Sequence, residues 1–138
     1  NPGSRTRRSE VQAGGAVEIW GDGQQTRSFL YIDEAVEGFL RLMHSECPEP
    51  INIGSDEMVS IGDLARRILD VAGKHSTLDY VDGPTGVMGR CSDNRLVEDR
   101  LGWKPTAPLN AGLVPTYKWI SAQVAAVEDT SALASQHA

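Results

Sequence analysis

A tight turn between two short apolar runs constrains this chain more than any other feature. The turn is Gly-Asp-Gly at 21–23, and the runs are AVEIW before it and SFLYI at 28–32. Short apolar runs on either side of a glycine turn predict two β-strands. Arg27 lies between the turn and the second run, although strands that enter a core normally exclude charge. Its side chain therefore either faces water or meets an anion.

Periodic apolar positions predict two helices in the middle of the chain. Asp33 is the expected N-cap of the first helix, which runs to about Ser45. Ser60 and Asp63 form the expected capping box of the second helix, and Gly73 is its expected end. The runs INIGS and TLDYV, on either side of this second helix, predict two further short strands.

The last part of the chain is predicted to be mostly helical. A short helix covers about 94–101, and a longer helix begins near Val114, with Pro115 at the first position, where proline is tolerated. The predicted order is β, β, α, β, α, β, α, α. This is an α/β fold with few strands for an independent parallel sheet. We therefore expect part of a larger architecture, or a unit that completes its sheet with a partner.

Composition and charge argue against several classes of function. The 138 residues carry a net charge of −6, which argues against general binding to nucleic acid or to an anionic membrane. No apolar run approaches the roughly 20 residues of a transmembrane helix, and residues 1–15 lack the apolar core of a signal peptide. Cys47 and Cys91 lie far apart without metal-ligand spacing and are interpreted as reduced thiols. These features favour a cytoplasmic location.

Two arginines are candidate anion ligands. Gln25, Thr26 and Arg27 leave the turn together and offer an amide, a hydroxyl and a guanidinium. Arg90 lies on a glycine-rich loop, GVMGRCSDN, whose last residues begin a helix. Arginine is the preferred planar donor to phosphate oxygens. In both cases the alternative is a solvated surface arginine.

Candidate catalytic groups are scarcer. None of the three histidines, His44, His75 and His137, lies near a plausible Ser or Cys nucleophile in the sequence. Cys91 adjoins Arg90, but an inert thiol is the favoured interpretation. The chain has no metal-binding signature and no G-x-G-x-x-G motif after a strand. We therefore predict no catalytic, metal-binding or cofactor-binding residue in it.

Four segments together resemble a known family. They are EIWGDGQQTRSFLYIDEAVEGFLRLM, PINIGSDEMVSIGDLA, GPTGVMGRCSDNRLVEDRLGWKP and LNAGLVPTYKWISAQV. Over roughly residues 16–125 they resemble the C-terminal part of extended short-chain dehydrogenase/reductases, in the NAD-dependent epimerase/dehydratase family. Within that family they look most like the GDP-mannose 3,5-epimerases. The first segment is typical of many nucleotide-sugar enzymes, whereas NIGSDEMVSI and GPTGVMGRCSDN are narrower.

The resemblance implies a role for the two arginines. In such enzymes the matching arginines hold the diphosphate of a nucleotide sugar from two sides. Arg27 and Arg90 are thus the expected ligands of a GDP-mannose-like molecule, with Gln25 and Thr26 beside Arg27. NAD is the family's cofactor. None is expected to bind this chain alone, since it has neither the glycine-rich NAD loop nor the Tyr-x-x-x-Lys pair. The chain is therefore expected to be inactive by itself.

The implied fold is the C-terminal substrate-binding lobe plus the last strand and helices of a Rossmann-like NAD(P)-binding fold, with the N-terminal Rossmann half missing. We expect a flexible segment at 1–15, the substrate-side domain at 16–127 and a flexible tail at 128–138. An open apolar face predicts a homo-oligomer or pairing with a Rossmann-containing partner. Two alternatives stay open. One is a non-catalytic binding or assembly module, and the other is a fragment of a UDP- or dTDP-sugar epimerase, dehydratase or decarboxylase.

Overall fold

The computed structural model describes residues 15–135, with side-chain surroundings up to residue 128. The described residues form short strands and four helices, which confirms the predicted α/β character. In chain order they are β1 Val17–Trp20, β2 Thr26–Ser28, α1 Ile32–Met43, β3 Met58–Ser60, α2 Ile61–Ala72, β4 Leu78–Val81, β5 Gly89–Arg90, α3 Arg95–Leu101 and α4 Leu109–Ser135. The sequence pattern gave no sign of β5.

The strands form two small sheets. β1 and β4 pair in parallel, with Val17 opposite Leu78 and Trp20 opposite Val81. Parallel pairing requires a long crossover, and here the crossover contains α1 and α2. In the second sheet, β2 lies between β3 and β5, antiparallel to β3 and parallel to β5.

The predicted Gly-Asp-Gly turn is present, and its glycines are needed. Gly21 and Gly23 have φ angles of 77° and 70°, a region that side chains disfavour. A Cβ atom on Gly23 would lie 2.9 Å from the Tyr80 ring, so the turn packs directly against β4. Asp22 Oδ1 accepts a hydrogen bond from the backbone N–H of Gln24 at 2.9 Å and stabilises the turn.

The second strand lies earlier than predicted. The pattern placed it at 28–32, but β2 ends at Ser28 and α1 already begins at Ile32. Arg27 is therefore inside the strand. Pairing decides this placement, because β3 and β5 supply ladder partners only within 26–28.

The start of α1 also corrects the prediction. Tyr31 is the N-cap and makes no side-chain capping bond, while Asp33 lies in the first turn of the helix. A carboxylate in the first turn still stabilises the positive end of the helix dipole. The helix ends at Met43, close to the predicted Ser45.

INIGS does not form the predicted strand. Residues 51–57 pair with no described strand, and β3 begins only at Met58. Side-chain contacts hold this segment instead. Ile53 packs so closely on α1 that a Cβ atom on Gly38 would lie 2.7 Å from its Cγ2 atom. The apolar run therefore reflects packing against a helix and not strand pairing.

The two ends of α2 confirm the prediction. Asp63 donates its backbone N–H to Ser60 Oγ at 3.1 Å, which is the expected N-terminal cap. Gly73 ends the helix with a φ of 63°, in the left-handed region that glycine adopts without strain.

The last helix begins earlier than predicted. α4 starts at Leu109, and Pro115, expected at the first position, lies inside the helix. The start is fixed from outside, because the backbone N–H of Leu109 donates to Glu57 Oε2 at 2.7 Å. Pro115 leaves the carbonyl of Ala111 without its helical donor. Packing of α4 on α2 offsets that loss.

Two predicted flexible segments fall at the ends of the chain. Residues 1–14 lie outside the described residues, as does His137. α4 continues through Ser135, so most of the segment predicted as a tail at 128–138 is helical, and 136–138 lie outside the described residues.

The enclosed core is small, and α1 is among the helices that present large apolar side chains to the outside. The buried apolar residues are Ile19, Val59, Leu69, Val97 and Leu109. On α1, Ile32 is 63% exposed, Phe39 61% and Met43 78%. Their spacing places these three on one side of the helix. We call this surface the α1 face.

Candidate anion-binding site

The two candidate arginines lie side by side in the second sheet. Arg27 in β2 and Arg90 in β5 are register partners in a parallel pair. Partners of this kind project from the same face of a sheet, on strands about 4.8 Å apart. The fold therefore brings together two cations that are distant in the sequence.

Neither of these arginines has a carboxylate partner within the described residues. The other described arginines each pair with an acid: Arg41 with Glu37, Arg66 with Asp63, Arg67 with Glu57, Arg95 with Asp93 and Arg100 with Glu49. Two neighbouring cations without a counter-ion repel each other, and an anion between them removes that repulsion. Arg27 and Arg90 thus form a candidate anion site.

Arg27 is half-buried, and backbone carbonyls orient its guanidinium. Nη1 donates to the carbonyl of Thr26 at 2.7 Å, and Nη2 donates to the carbonyl of Thr85 at 3.4 Å. Gly86 lies close by, since a Cβ atom there would be 3.6 Å from Nη2. A guanidinium has five N–H donors, so further donors remain for an anion. Arg90 is exposed.

Thr26 faces away from Arg27 across β2, because strand side chains alternate. Its backbone N–H donates to the carbonyl of Met88 at 2.7 Å, and its hydroxyl reaches the same carbonyl at 3.4 Å. Its register partner is Gly89, where a Cβ atom would lie 3.0 Å from the Thr26 hydroxyl. Thr26 holds β5 against β2, and its contact with a ligand stays a prediction.

Gln25 is buried behind the turn. Its side-chain Nε2 atom donates to the backbone carbonyl of Trp20 at 3.0 Å. The backbone carbonyl of Gln25 accepts the backbone N–H of Ile61. Its Oε1 atom is enclosed without a partner among the described residues. The side chain thus ties the turn to β1, and the predicted ligand contact of Gln25 also stays a prediction.

Two glutamates brace the loop that leads into α4. Glu34 Oε1 accepts the backbone N–H groups of Thr106 and Ala107 at 2.6 and 2.8 Å. Glu57 lies directly before β3 and binds both Leu109, as described above, and Arg67 Nη1 at 3.0 Å. The hydrogen bond from Leu109, followed by that from Arg67, lowers the pKa of Glu57.

The residues that follow Arg90 make contacts that the sequence did not reveal. Asn94 is buried, and its Nδ2 atom donates to the carbonyl of Gly54 at 2.7 Å. Ser92 Oγ donates to Asn94 Oδ1 at 2.8 Å. In the sequence, Ser-Asp-Asn indicates an ordinary helix start, so only the fold shows that it reaches the 51–57 segment.

Histidines, cysteines and acids do not gather into a metal centre in the described part of the chain. No group of three or more His, Cys, Asp or Glu side chains there lies in ligating positions. His44 Nδ1 lies 2.7 Å from the carbonyl of Leu40 in its own helix. Cys91 is exposed, with its Sγ atom 3.7 Å from the carbonyl of Asp56.

The described residues do not fit a dinucleotide cradle. Such a cradle is a glycine-rich turn that passes from a strand directly into a helix, whose N-terminus binds the pyrophosphate. The Gly-Asp-Gly turn leads from β1 into β2 instead, and Gly23 packs against Tyr80.

No helix among the described residues is long and apolar enough to cross a membrane.

An apolar cleft lies away from the two arginines. It has a volume of about 210 Å³ and a mainly apolar lining from Phe29 to Ile32, α2 and the start of α4. Neither Arg27 nor Arg90 contributes to this lining. The candidate anion site therefore lies outside this cleft.

Comparison with known proteins gives consistent relatives. A sequence model of the NAD dependent epimerase/dehydratase family matches residues 5–54. GDP-mannose 3,5-epimerase 1 of Oryza sativa subsp. indica is 53% identical over 107 residues, which are 78% of this chain and 28% of that protein. UDP-glucuronic acid decarboxylase 1 of Danio rerio is 31% identical over 112 residues, which are 80% of this chain and 27% of that protein.

A solved structure shares the fold. UDP-glucuronic acid 4-epimerase from Bacillus cereus, in complex with UDP-glucuronic acid and NAD, matches with a TM-score of 0.75 and 29% identity. The match covers 83% of this chain and 38% of that one. This chain thus spans well under half the length of the relatives that it matches. Its sequence and fold nevertheless agree on one assignment: the chain belongs to the NAD-dependent epimerase/dehydratase family of extended short-chain dehydrogenase/reductases.

Proposed function

We propose that this chain binds the diphosphate group of a nucleotide sugar between Arg27 and Arg90. One observation carries the proposal: the two arginines are register partners on neighbouring strands, and neither has a carboxylate partner within the described residues. A diphosphate carries about two negative charges and several acceptor oxygens, which match two guanidinium groups. The proposal assigns no chemical step to this chain.

The proposed nucleotide sugar is GDP-mannose or a close analogue. The 53% identity to a GDP-mannose 3,5-epimerase supports this choice. The competing choice is a UDP- or dTDP-sugar, and the similarity to a UDP-glucuronic acid decarboxylase supports it. Because the arginines would contact only the phosphates, they do not determine which nucleotide base the ligand carries. Competition among GDP-mannose, UDP-glucose and dTDP-glucose for the same site distinguishes the two.

The proposed context is the substrate side of an NAD-dependent epimerase that resembles GDP-mannose 3,5-epimerase. The match to only 28% of that relative's length supports this context, as does the absence of a dinucleotide cradle among the described residues. In that context the Rossmann part binds NAD and carries the groups that transfer protons. This chain binds the diphosphate.

Calorimetric titration of GDP-mannose into the 138-residue chain tests the proposal. Each charged contact to phosphate contributes roughly 1.5–3 kcal/mol, so Arg27→Ala and Arg90→Ala should each weaken binding about tenfold or more. Arg100→Ala is the matched control, because it removes an exposed arginine that already pairs with Glu49. Equal affinities in all four proteins, or no binding by the unaltered chain at millimolar GDP-mannose, would contradict the proposal.

A second candidate, an assembly module without catalysis, is favoured by the α1 face. Its three large side chains are each more than half exposed, although such side chains normally pack against another element. In this case the chain would bind a second copy or a Rossmann-containing partner. Binding of nucleotide sugar that depends on both arginines would leave assembly as a secondary property.

A further inference from the structure

Arg90 has a weak anchor in its own strand. β5 is only two residues long, and its ladder to β2 has two positions, Thr26 with Gly89 and Arg27 with Arg90. The preceding loop, 82–88, contains no helix or strand. Short ladders of this kind are marginal in water. If Arg90 is to meet a ligand at a fixed position, a second anchor is needed on the C-terminal side of the strand.

The structure contains such an anchor, which we call the Gly54 clasp: the residues Gly54, Ser92 and Asn94. The two hydrogen bonds described above join Ser92 to Asn94 and Asn94 to the carbonyl of Gly54. The contact is close, because a Cβ atom on Gly54 would lie 2.6 Å from the Ser92 Cβ atom. Asn94 is only 7% exposed. The clasp therefore fastens the chain just after Arg90 to the segment that leads into β3.

The use of the Asn94 side chain distinguishes the clasp from ordinary helix capping. Asn94 is the N-cap of α3, where an asparagine side chain normally accepts a backbone N–H of the first turn. Here it makes no capping bond. Instead Asp93 Oδ1 accepts the backbone N–H of Arg95 at 3.1 Å. The buried side-chain amide of Asn94 thus binds the 51–57 segment and does not cap its own helix.

The clasp also links the strands that carry the site. Gly54 lies shortly before β3, which pairs with β2 and places Val59 opposite Arg27. β5 is on the other side of β2 and carries Arg90. The clasp consequently joins the segment that precedes β3 to the residues that follow β5, and so links the chain on both sides of the central strand.

We propose that Asn94 is a positioning residue for Arg90, which holds that arginine beside Arg27 through the Gly54 clasp. This inference rests on the proposed diphosphate binding. Asn94 itself does not contact the ligand. A loosened clasp should weaken ligand binding only because Arg90 moves out of the site.

A double-mutant cycle provides the first test. Asn94→Ala should weaken GDP-mannose binding by roughly tenfold in the unaltered chain, since a misplaced donor loses its charge-assisted hydrogen bond. In an Arg90→Ala background the same change should cost less than twofold, because the contact is already gone. In an Arg27→Ala background the tenfold cost should persist. Equal costs in all three backgrounds would assign Asn94 a general structural role and overturn the proposal.

A second variant, Gly54→Ala, tests the clasp even if Asn94→Ala does not fold. Gly54→Ala retains every hydrogen-bonding side chain, but its Cβ atom must push Ser92 away. Gly54 has no positive φ, so alanine fits its backbone. The same dependence on Arg90 is expected. Ser55→Ala is the matched control, because the Ser55 hydroxyl accepts the Glu57 N–H within the same segment and forms no hydrogen bond with the clasp residues.

Amide hydrogen exchange without any ligand separates this inference from the proposed function. Asn94→Ala and Gly54→Ala should raise exchange at residues 89–91 at least tenfold, while Ser55→Ala leaves it unchanged. Unchanged protection at 89–91 in both clasp variants would overturn the positioning role. Failure of the unaltered chain to bind GDP-mannose, with the exchange result intact, would overturn the proposed function and leave the clasp as a structural feature only.

Discussion

At the residue scale, five of the seven described arginines form an ion pair with a carboxylate, whereas Arg27 and Arg90 do not. Glu57 is the clearest example of internal pairing, because one carboxylate binds the first N–H of α4 and the Arg67 side chain together. Those two bonds lower the pKa of Glu57 below its ordinary value of 4.5. A group with a lowered pKa in the folded chain stabilises it above the unfolded pKa, and the contribution is lost as pH falls through the folded value.

Glu57→Gln should therefore lower the melting temperature at pH 7, by roughly 2–5 °C for a chain of this size. The amide still accepts the Leu109 N–H but does not pair with Arg67. As pH falls below 4.5 the carboxylate of the unaltered chain becomes protonated, so the difference should shrink. Thermal melts followed by circular dichroism between pH 7 and pH 3 measure this. A difference that stays constant over that range would contradict the assigned role of Glu57.

The sequence singled out Arg27 and Arg90 as candidates, because arginine is the preferred donor to phosphate and the family resemblance implies a role for both. It was not sufficient to show that they are register partners. That fact depends on β5, a strand of two residues whose pairing comes from tertiary contacts. The bracing roles of Asn94 and Glu57 were missed for the same reason, since each side chain binds backbone groups far away in the sequence.

At the element scale, local signals predicted both ends of α2 but misplaced the start of α1, where Tyr31 and not Asp33 is the N-cap. Ser60 and Gly73 bound α2 as expected because both act on their own chain neighbours. α4 was misplaced because its start depends on Glu57, which no local pattern records. The run INIGS was misassigned because burial against a helix gives the same apolar pattern as a buried strand.

Pro115→Ala should stabilise α4. Pro115 is exposed, so its removal costs little packing, and alanine restores the N–H that the Ala111 carbonyl lacks. A rise of several degrees in melting temperature is expected, partly opposed by the greater freedom of the unfolded chain. Ser121→Ala, an exposed change in the same helix, serves as the control. A lower melting temperature for Pro115→Ala would mean that the proline shapes the packing of α4 on α2.

At the scale of the whole molecule, the open α1 face is the feature that most needs a partner. Ile32, Phe39 and Met43 share one side of a helix and are each more than half exposed. Burial of apolar area contributes about 25 cal/mol per Å², so covering such a face is favourable. An open apolar face was already expected from the family resemblance, which implies that the strands of the Rossmann half are missing.

We expect the isolated chain to form a dimer or larger oligomer through the α1 face. Phe39→Glu combined with Met43→Glu should yield a monomer, because two charges on the face oppose its burial. Size-exclusion chromatography with light scattering measures the mass, and Arg100→Glu is a charge change outside the face. A monomer for the unaltered chain at all concentrations tested would contradict this expectation.

Phosphorus-31 NMR of GDP-mannose observes directly the proposed contact between one diphosphate and two arginines from neighbouring strands. With the unaltered chain present, both phosphorus resonances should broaden and shift as ligand exchanges with the site. With Arg27→Ala and Arg90→Ala combined, both should return to their free positions, while Arg100→Ala should behave as the unaltered chain. Resonances that remain perturbed in the double variant would place the diphosphate elsewhere and rule out the site between the two arginines.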